Sequence, residues 1–246
     1  MTGVRCPSAL ELVGAWERGL HQPPLERALT LLAAACTRSR EELAALSIGR
    51  RDAELLALYE LLFGPALDAF AECPECGERL EYSFNSGDLA THAQADQSAT
   101  GLEAGQGEFL LRLRLPNSQD LSAVSGTTDL ALARRTVAER CVVEALHGAL
   151  VVSAQTLSDE LLDLAASRLA EADPGADTQI DLTCSSCRHR WQVLFDVECF
   201  LWAKVNSLAK RLLREVHLLA SAYGWSEREV LTLSSVRRRF YLEMVA

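Results

Sequence analysis

Cys73-Pro74-Glu75-Cys76-Gly77 and, far along the same chain, Cys184-Ser185-Ser186-Cys187 each place two thiols at CxxC spacing. A tight turn at that spacing aims both sulfurs at one point. Four thiolates in tetrahedral geometry are what a structural zinc ion takes, and a closed four-cysteine site leaves no open position for catalysis. Pro74 presets the first turn, and Gly77 permits the positive φ that lets a backbone N–H approach a sulfur. In the second knuckle Arg188 stands where glycine is easiest, so slight strain is expected there. The two pairs are farther apart than in an ordinary zinc ribbon. The residues between them are therefore expected to form an insertion whose ends return to the metal. The expected zinc ligands are Cys73, Cys76, Cys184 and Cys187, with His189 as a substitute for one cysteine. Two disulfides, a redox CxxC and thiols that never meet are the competing readings.

Composition sets the outer limits. The 246 residues are 49% hydrophobic and 24% charged, as expected of a globular protein with room for a core. Sparse aromatics and abundant Leu and Ala lean the expectation towards helix. The apolar runs are too short to span a bilayer, and no secretory leader is recognisable, so a cytoplasmic location is expected. There thiols stay reduced, and CxxC pairs point to metal rather than disulfides. Cys6, Cys36, Cys141 and Cys199 have no partner at ligand spacing and read as small core residues. The net charge of −10 argues against sequence-independent nucleic-acid binding, which needs a cationic footprint. From Trp202 onward, however, eight Lys or Arg against four Glu give a local +4, leaving −14 for the preceding residues.

Residues 1–72 read as a helical segment. Ser8 and Glu11 have capping-box spacing, followed by Leu12, Val13, Trp16 and Leu20 at helical intervals. Pro23-Pro24 breaks that helix and opens the next, over 25–36. Ser39 and Glu42 repeat the capping signature, and a further helix over about 51–63 stops at Gly64-Pro65. Residues 73–199 read as a split zinc-ribbon-like domain. Strands at 79–84, 108–115, 178–183 and 190–197 are expected in one small antiparallel sheet, with a mobile loop over 93–107. A helical insertion is expected over about 117–172, including one helix over about 128–146 and another opened by Ser158. Residues 200–246 read as a helical module: a long amphipathic helix, a break at Gly224, then Ser226 with Glu229 as a new capping box. The fold class is α+β, mainly α-helical, with a small antiparallel zinc-ribbon-like sheet between helical ends.

The histidines sit in no recognisable catalytic setting, and the chain holds no P-loop, nucleophile elbow, HExxH or dinucleotide fingerprint. No enzyme activity and no small-molecule substrate are expected.

The C-terminal run Phe200-Leu201-Trp202, Leu212-Leu213-Arg214-Glu215-Val216-His217, Tyr223-Gly224-Trp225-Ser226-Glu227 and Arg237-Arg238-Arg239-Phe240-Tyr241-Leu242 resembles T4-family baseplate hub assembly chaperones. These are encoded among the tail genes of contractile phages and phage-tail-like injection systems. Trp16-Glu17, Ile48-Gly49-Arg50-Arg51-Asp52-Ala53, both knuckles and Arg114-Leu115-Pro116 fit the same pattern, and the sequence departs from it at Arg188, where such knuckles usually have glycine. The resemblance implies a non-enzymatic protein that helps build the baseplate or becomes part of it, in the cytoplasm or in the assembled particle. Its partners would be baseplate hub or spike proteins. Trp225, Leu231, Leu233, Tyr241 and Leu242 would cover an apolar surface on a partner, with Arg237, Arg238 and Arg239 orienting it. The alternative is a zinc-ribbon regulator that binds nucleic acid through its basic C-terminal segment.

Overall fold

The computed structural model describes residues 3–90 and 101–245. The chain divides into two compact units. One comprises residues 1–43, 57–64 and 196–246, and the other residues 44–56 and 65–195.

The first unit is helical. The Ser8–Glu11 capping box opens α1 (Ala9–Gly19), with both reciprocal hydrogen bonds formed. Pro24 is the first residue of α2 (Pro24–Ala35), where its missing N–H costs nothing. The Ser39–Glu42 pair likewise opens α3 (Arg40–Ala44). α4 (Ile48–Phe63) begins three residues earlier than expected and contributes its last turns, with Leu58 and Tyr59 buried. The 27-residue α9 (Val197–Tyr223) runs through this unit and packs against α1 and α2. Its apolar face, Leu201, Val205, Ala209, Leu212 and Leu219, is fully buried. Trp16 Nε1 donates to Asn206 Oδ1 at 2.9 Å, tying α1 to α9. α10 (Glu227–Thr232), opened by the Ser226–Glu229 capping box, and α11 (Ser235–Val245) then fold back along α9.

The second unit holds the strands. β1 (Ala66–Glu72) pairs antiparallel with β2 (Arg79–Asn85), and β7 (Gln179–Thr183) pairs with β8 (Arg190–Leu194). Between these hairpins α5 (Ser86–Ala90) leads towards a four-stranded antiparallel sheet. Its strands are β3 (Leu102–Gln106), β4 (Phe109–Leu113), β5 (Val142–His147) and β6 (Leu150–Val152), in that spatial order. The helices α6 (Ser118–Val124), α7 (Leu130–Cys141) and α8 (Asp159–Ala172) complete the insertion. α7 and α8 share one core with the sheet, built on Leu111, Leu113, Cys141, Ala145, Leu161 and Ala165.

Four expectations are corrected. Residues 66–72, assigned to the helical segment, form β1. Residues 142–146, read as the end of a helix, lie in β5, because the β-branched Val142-Val143 pair beside β4 and ladder pairing outweighs the helix propensity of Glu144, Ala145 and Leu146. The insertion is therefore α+β rather than helical. The expected single sheet of four is instead two separate hairpins, with 109–113 belonging to the insertion's own sheet. Within the expected loop over 93–107, residues 102–106 form β3, and residues 93–100 lie outside the described residues.

Among the described residues no helix is long and apolar enough to cross a membrane. Cys36 and Cys141 are buried as expected, but Cys6 and Cys199 are exposed.

Candidate metal centre

Each two-stranded hairpin turns through one CxxC knuckle, and the two turns are built alike. In the first, the Cys73 N–H donates to Glu78 O at 2.9 Å and the Gly77 N–H to Cys73 O at 2.9 Å. In the second, the Cys184 N–H donates to His189 O at 2.8 Å and the Arg188 N–H to Cys184 O at 3.1 Å. The fifth residue of each turn is left-handed, Gly77 at φ 73° and Arg188 at φ 63°. Arg188 is the one non-glycine among the described residues with positive φ, at the position where the sequence anticipates strain.

The two knuckles meet. Cys73 Sγ lies 3.6 Å from Cys187 Sγ, and Cys76 Sγ lies 3.6 Å from Cys184 Sγ. All four sulfurs fall within 4.8 Å of one another, so the cluster can hold a metal ion. Tetrahedral Zn–S bonds of about 2.3 Å put the sulfurs about 3.8 Å apart, which this spacing matches. A disulfide needs about 2.05 Å, far closer than these sulfurs stand to one another. His189 is not among the clustered ligands; its ring stacks near Trp191, with centroids 6.0 Å apart.

The first cysteine of each knuckle, Cys73 or Cys184, is buried, and the second, Cys76 or Cys187, is exposed. The Cys187 backbone N–H, 3.5 Å from Cys184 Sγ, helps draw that thiol down to about 7, against burial and with further help from the Ser186 N–H. The Glu78 N–H draws Cys76 down too, but its contacts with Cys187, Cys184 and Cys73, together with partial desolvation beside them, push it up to about 12. Four thiols at this spacing cannot all ionise by themselves. A divalent cation at their centre removes the conflict, which is the electrostatic case for a metal here. Aromatic packing supports the hairpins: Phe84 meets Phe195 edge-on at 5.2 Å, and Arg79 lies over the Phe70 ring at 4.1 Å.

The C-terminal residues expected to contact a partner do not all face outward. Leu231 is 2% exposed and Arg238 7%, so both are core residues here. Arg238 Nε donates to Glu215 Oε2 at 2.6 Å and its NH1 to Leu233 O at 3.2 Å. Trp225 stacks on Tyr223 at 4.7 Å and meets Tyr241 edge-on at 4.9 Å. Trp225, Leu233, Tyr241 and Leu242 are half-buried, whereas Arg237 and Arg239 are exposed. Val236, Phe240 and Met244, which are not among the expected contact residues, are exposed instead; their four-residue spacing was the available signal.

A second structural pair also escaped the sequence reading. Asp173, buried at the end of α8, accepts the Gly49 N–H at 3.0 Å in the first turn of α4. Burial raises its pKa, opposed by the Gly49 N–H and the Ser47 hydroxyl. A side chain at Gly49 would place its Cβ 2.0 Å from Asp173 Oδ1, so only glycine permits the approach. Gly49 and Asp173 are 124 residues apart, and no local pattern links them.

No curated protein and no solved structure matches the chain. Residues 21–202, which take in both knuckles and the whole insertion, match the family described as T4 bacteriophage base plate protein, and the chain belongs to that family.

Proposed function

We propose that the protein is a non-enzymatic assembly factor or built-in component of the baseplate hub of a contractile, phage-tail-like particle. Membership of the base plate family over residues 21–202 is the observation that carries this reading. In it, Cys73, Cys76, Cys184 and Cys187 hold one structural zinc ion, for which the four clustered sulfurs are a suitable donor set. Zinc supplies four bonds to thiolate without redox chemistry. The knuckle backbones orient the sulfurs, and the metal closes the chain around the α+β insertion. Partner proteins of the hub or spike are bound through the C-terminal helices, where apolar and cationic side chains stand together.

Affinity purification of the tagged full chain from its own host, with co-purifying chains identified by mass spectrometry, tests this function. Hub, spike or other baseplate subunits are expected. A near-integral ratio to the tagged chain in finished particles marks a built-in part, and recovery only from unfinished particles marks an assembly factor. Nucleic acid in their place, with a gel shift that weakens steeply as salt rises, would overturn the reading in favour of a zinc-ribbon regulator.

A further inference from the structure

α11 has two different faces. Arg238, Tyr241, Leu242 and Val245 turn inward, with Arg238 anchored to Glu215 on α9. On the outer side, Val236, Phe240 and Met244 are 55%, 56% and 70% exposed. Residues four apart on a helix lie one above another, so these three form a single apolar stripe, about 12 Å from end to end. At 100° per residue Arg237 falls on one flank of the stripe and Arg239 on the other. Beside the Arg239 flank lies a cavity of about 360 Å³ lined by Arg211, Glu215, Val236, Arg238 and Arg239.

The charge of this cavity is not balanced from within. Glu215 is committed to Arg238 at 2.6 Å, and Arg211 reaches it only at 3.7 Å. Arg239 reaches Glu243, the sole carboxylate on α11, only at 3.9 Å. Both Arg211 and Arg239 side chains are about two-thirds exposed or more, at 68% and 72%. Ion pairs that long and that exposed are weak, and a better-placed carboxylate displaces them at little cost. An uncovered apolar stripe flanked by under-neutralised guanidinium groups matches one kind of occupant: a helix that is apolar along one side and carboxylate-bearing along the edges of that side. Nucleic acid fits less well. Val236 and Met244 offer nothing for a base to stack on, and an apolar stripe would occupy the middle of a phosphate-binding surface.

We propose that this face of α11 docks an acidic amphipathic helix of a baseplate subunit. Its apolar side packs on Val236, Phe240 and Met244. Its carboxylates pair with Arg211 and Arg239 on one edge and with Arg237 on the other. The proposal rests on the baseplate reading above and deepens it by naming the surface and the chemistry of the partner.

The test uses the full-length tagged protein in its own host with a photo-crosslinking phenylalanine analogue in place of Phe240. The expected product joins this position to a peptide of a baseplate subunit that is acidic and apolar at three- and four-residue intervals. Phe240→Asp, or Arg211→Glu with Arg239→Glu, is expected to lower capture of that subunit tenfold or more with an unchanged melting temperature. Glu→Lys changes in the crosslinked peptide should restore capture by the arginine variant. Crosslinks to a second copy of this chain, to a basic segment, to lipid or to nucleic acid would overturn the proposal. So would undiminished capture of baseplate subunits by the variants, which leaves the baseplate function standing. Failure of the wild-type chain to capture any baseplate subunit would instead remove the baseplate function itself.

Discussion

Removing metal from the four-cysteine cluster should destabilise the unit that contains it by an amount the chain topology sets. The contacts Cys76–Cys184 and Cys73–Cys187 join residues 108 and 114 positions apart. In the chain-entropy description, cross-linking a loop of about 100 residues stabilises a fold by about 4.7 kcal/mol. A metal that bridges the two knuckles acts as such a cross-link, and loss of the Zn–S bonds themselves adds to this figure. For a chain of this size each kcal/mol moves the melting temperature by about 2–4 °C, so chelation should lower it by roughly 10–20 °C. The assay is a thermal melt followed by circular dichroism, before and after treatment with a zinc chelator, alongside colorimetric zinc release. One zinc per chain is expected. Cys184→Ser should lose the metal and reproduce the chelated melt, whereas Cys6→Ser, at an exposed thiol outside the cluster, should change neither. Full release of zinc with a shift below about 3 °C would refute the argument that the metal closes the chain. Retention of one zinc by Cys184→Ser would refute the ligand set.

Other perturbations read the surrounding structure. Arg188→Gly removes a left-handed strain of about 1–2 kcal/mol at the cost of about 0.5–1 kcal/mol of chain entropy; a gain of about 0.5 kcal/mol is expected by urea titration, and Gly77→Ala should lose about 1–2 kcal/mol. Gly49→Ala drives a Cβ to within 2.0 Å of Asp173 Oδ1 and breaks the Gly49 N–H bond to that carboxylate. Strain and the lost charged hydrogen bond together should cost about 3–5 kcal/mol. Gly14→Ala, whose Cβ meets nothing closer than 3.5 Å, should instead stabilise α1 by about 0.5–1 kcal/mol. Asp120, with no exposed side-chain surface, accepts from Arg114 at 2.6 and 2.9 Å and from Arg140 at 2.9 Å. Burial pushes its pKa up, but hydrogen bonds from Arg114, the Asn117 backbone and Arg140 prevail and hold it below the ordinary carboxyl value. Its contribution is therefore complete above the ordinary carboxyl range and lost as pH falls through the lower folded value. Asp120→Asn should cost about 3–5 kcal/mol at neutral pH and less at pH 3, below the ordinary carboxyl value, where the unfolded chain takes up its proton before the folded one does; an equal loss at both pH values would contradict the assignment.

What was legible in the sequence was what local chemistry dictates. The capping boxes at Ser8 and Ser226, the Pro24 start and the amphipathic stripe of α9 are read from residues within one or two turns of each other, and each appears where expected. The knuckles were legible because CxxC spacing and a left-handed fifth residue are likewise local, and Arg188 adopts the conformation its position implied. β1 and β5 were not legible because their helix-favouring Ala, Glu and Leu are overruled by ladder partners. The division of the strands into two hairpins and a separate sheet depends on pairing registers, which alternation alone does not give. Leu231 and Arg238 look like contact residues in sequence, but the fold of α10 and α11 against α9 places them inside, and Val236, Phe240 and Met244 outside.

Because each hairpin owns only two sulfurs, the metal site exists as two half-sites until Cys187 has been made. At about 5–20 residues per second of synthesis, the wait from Cys76 to the second knuckle lasts about 5–20 s. During that interval Cys73 and Cys76 form a two-thiolate ligand on a nascent chain, and their mates are not yet translated. A bidentate thiolate pair holds zinc far more loosely than a closed set of four, and it is open to oxidation into its own disulfide. With zinc bound as proposed, completion of the insertion and capture of the metal would be a single event. Misfolding in the intervening hundred or so residues would then leave a metal-free, thiol-exposed chain open to proteolysis.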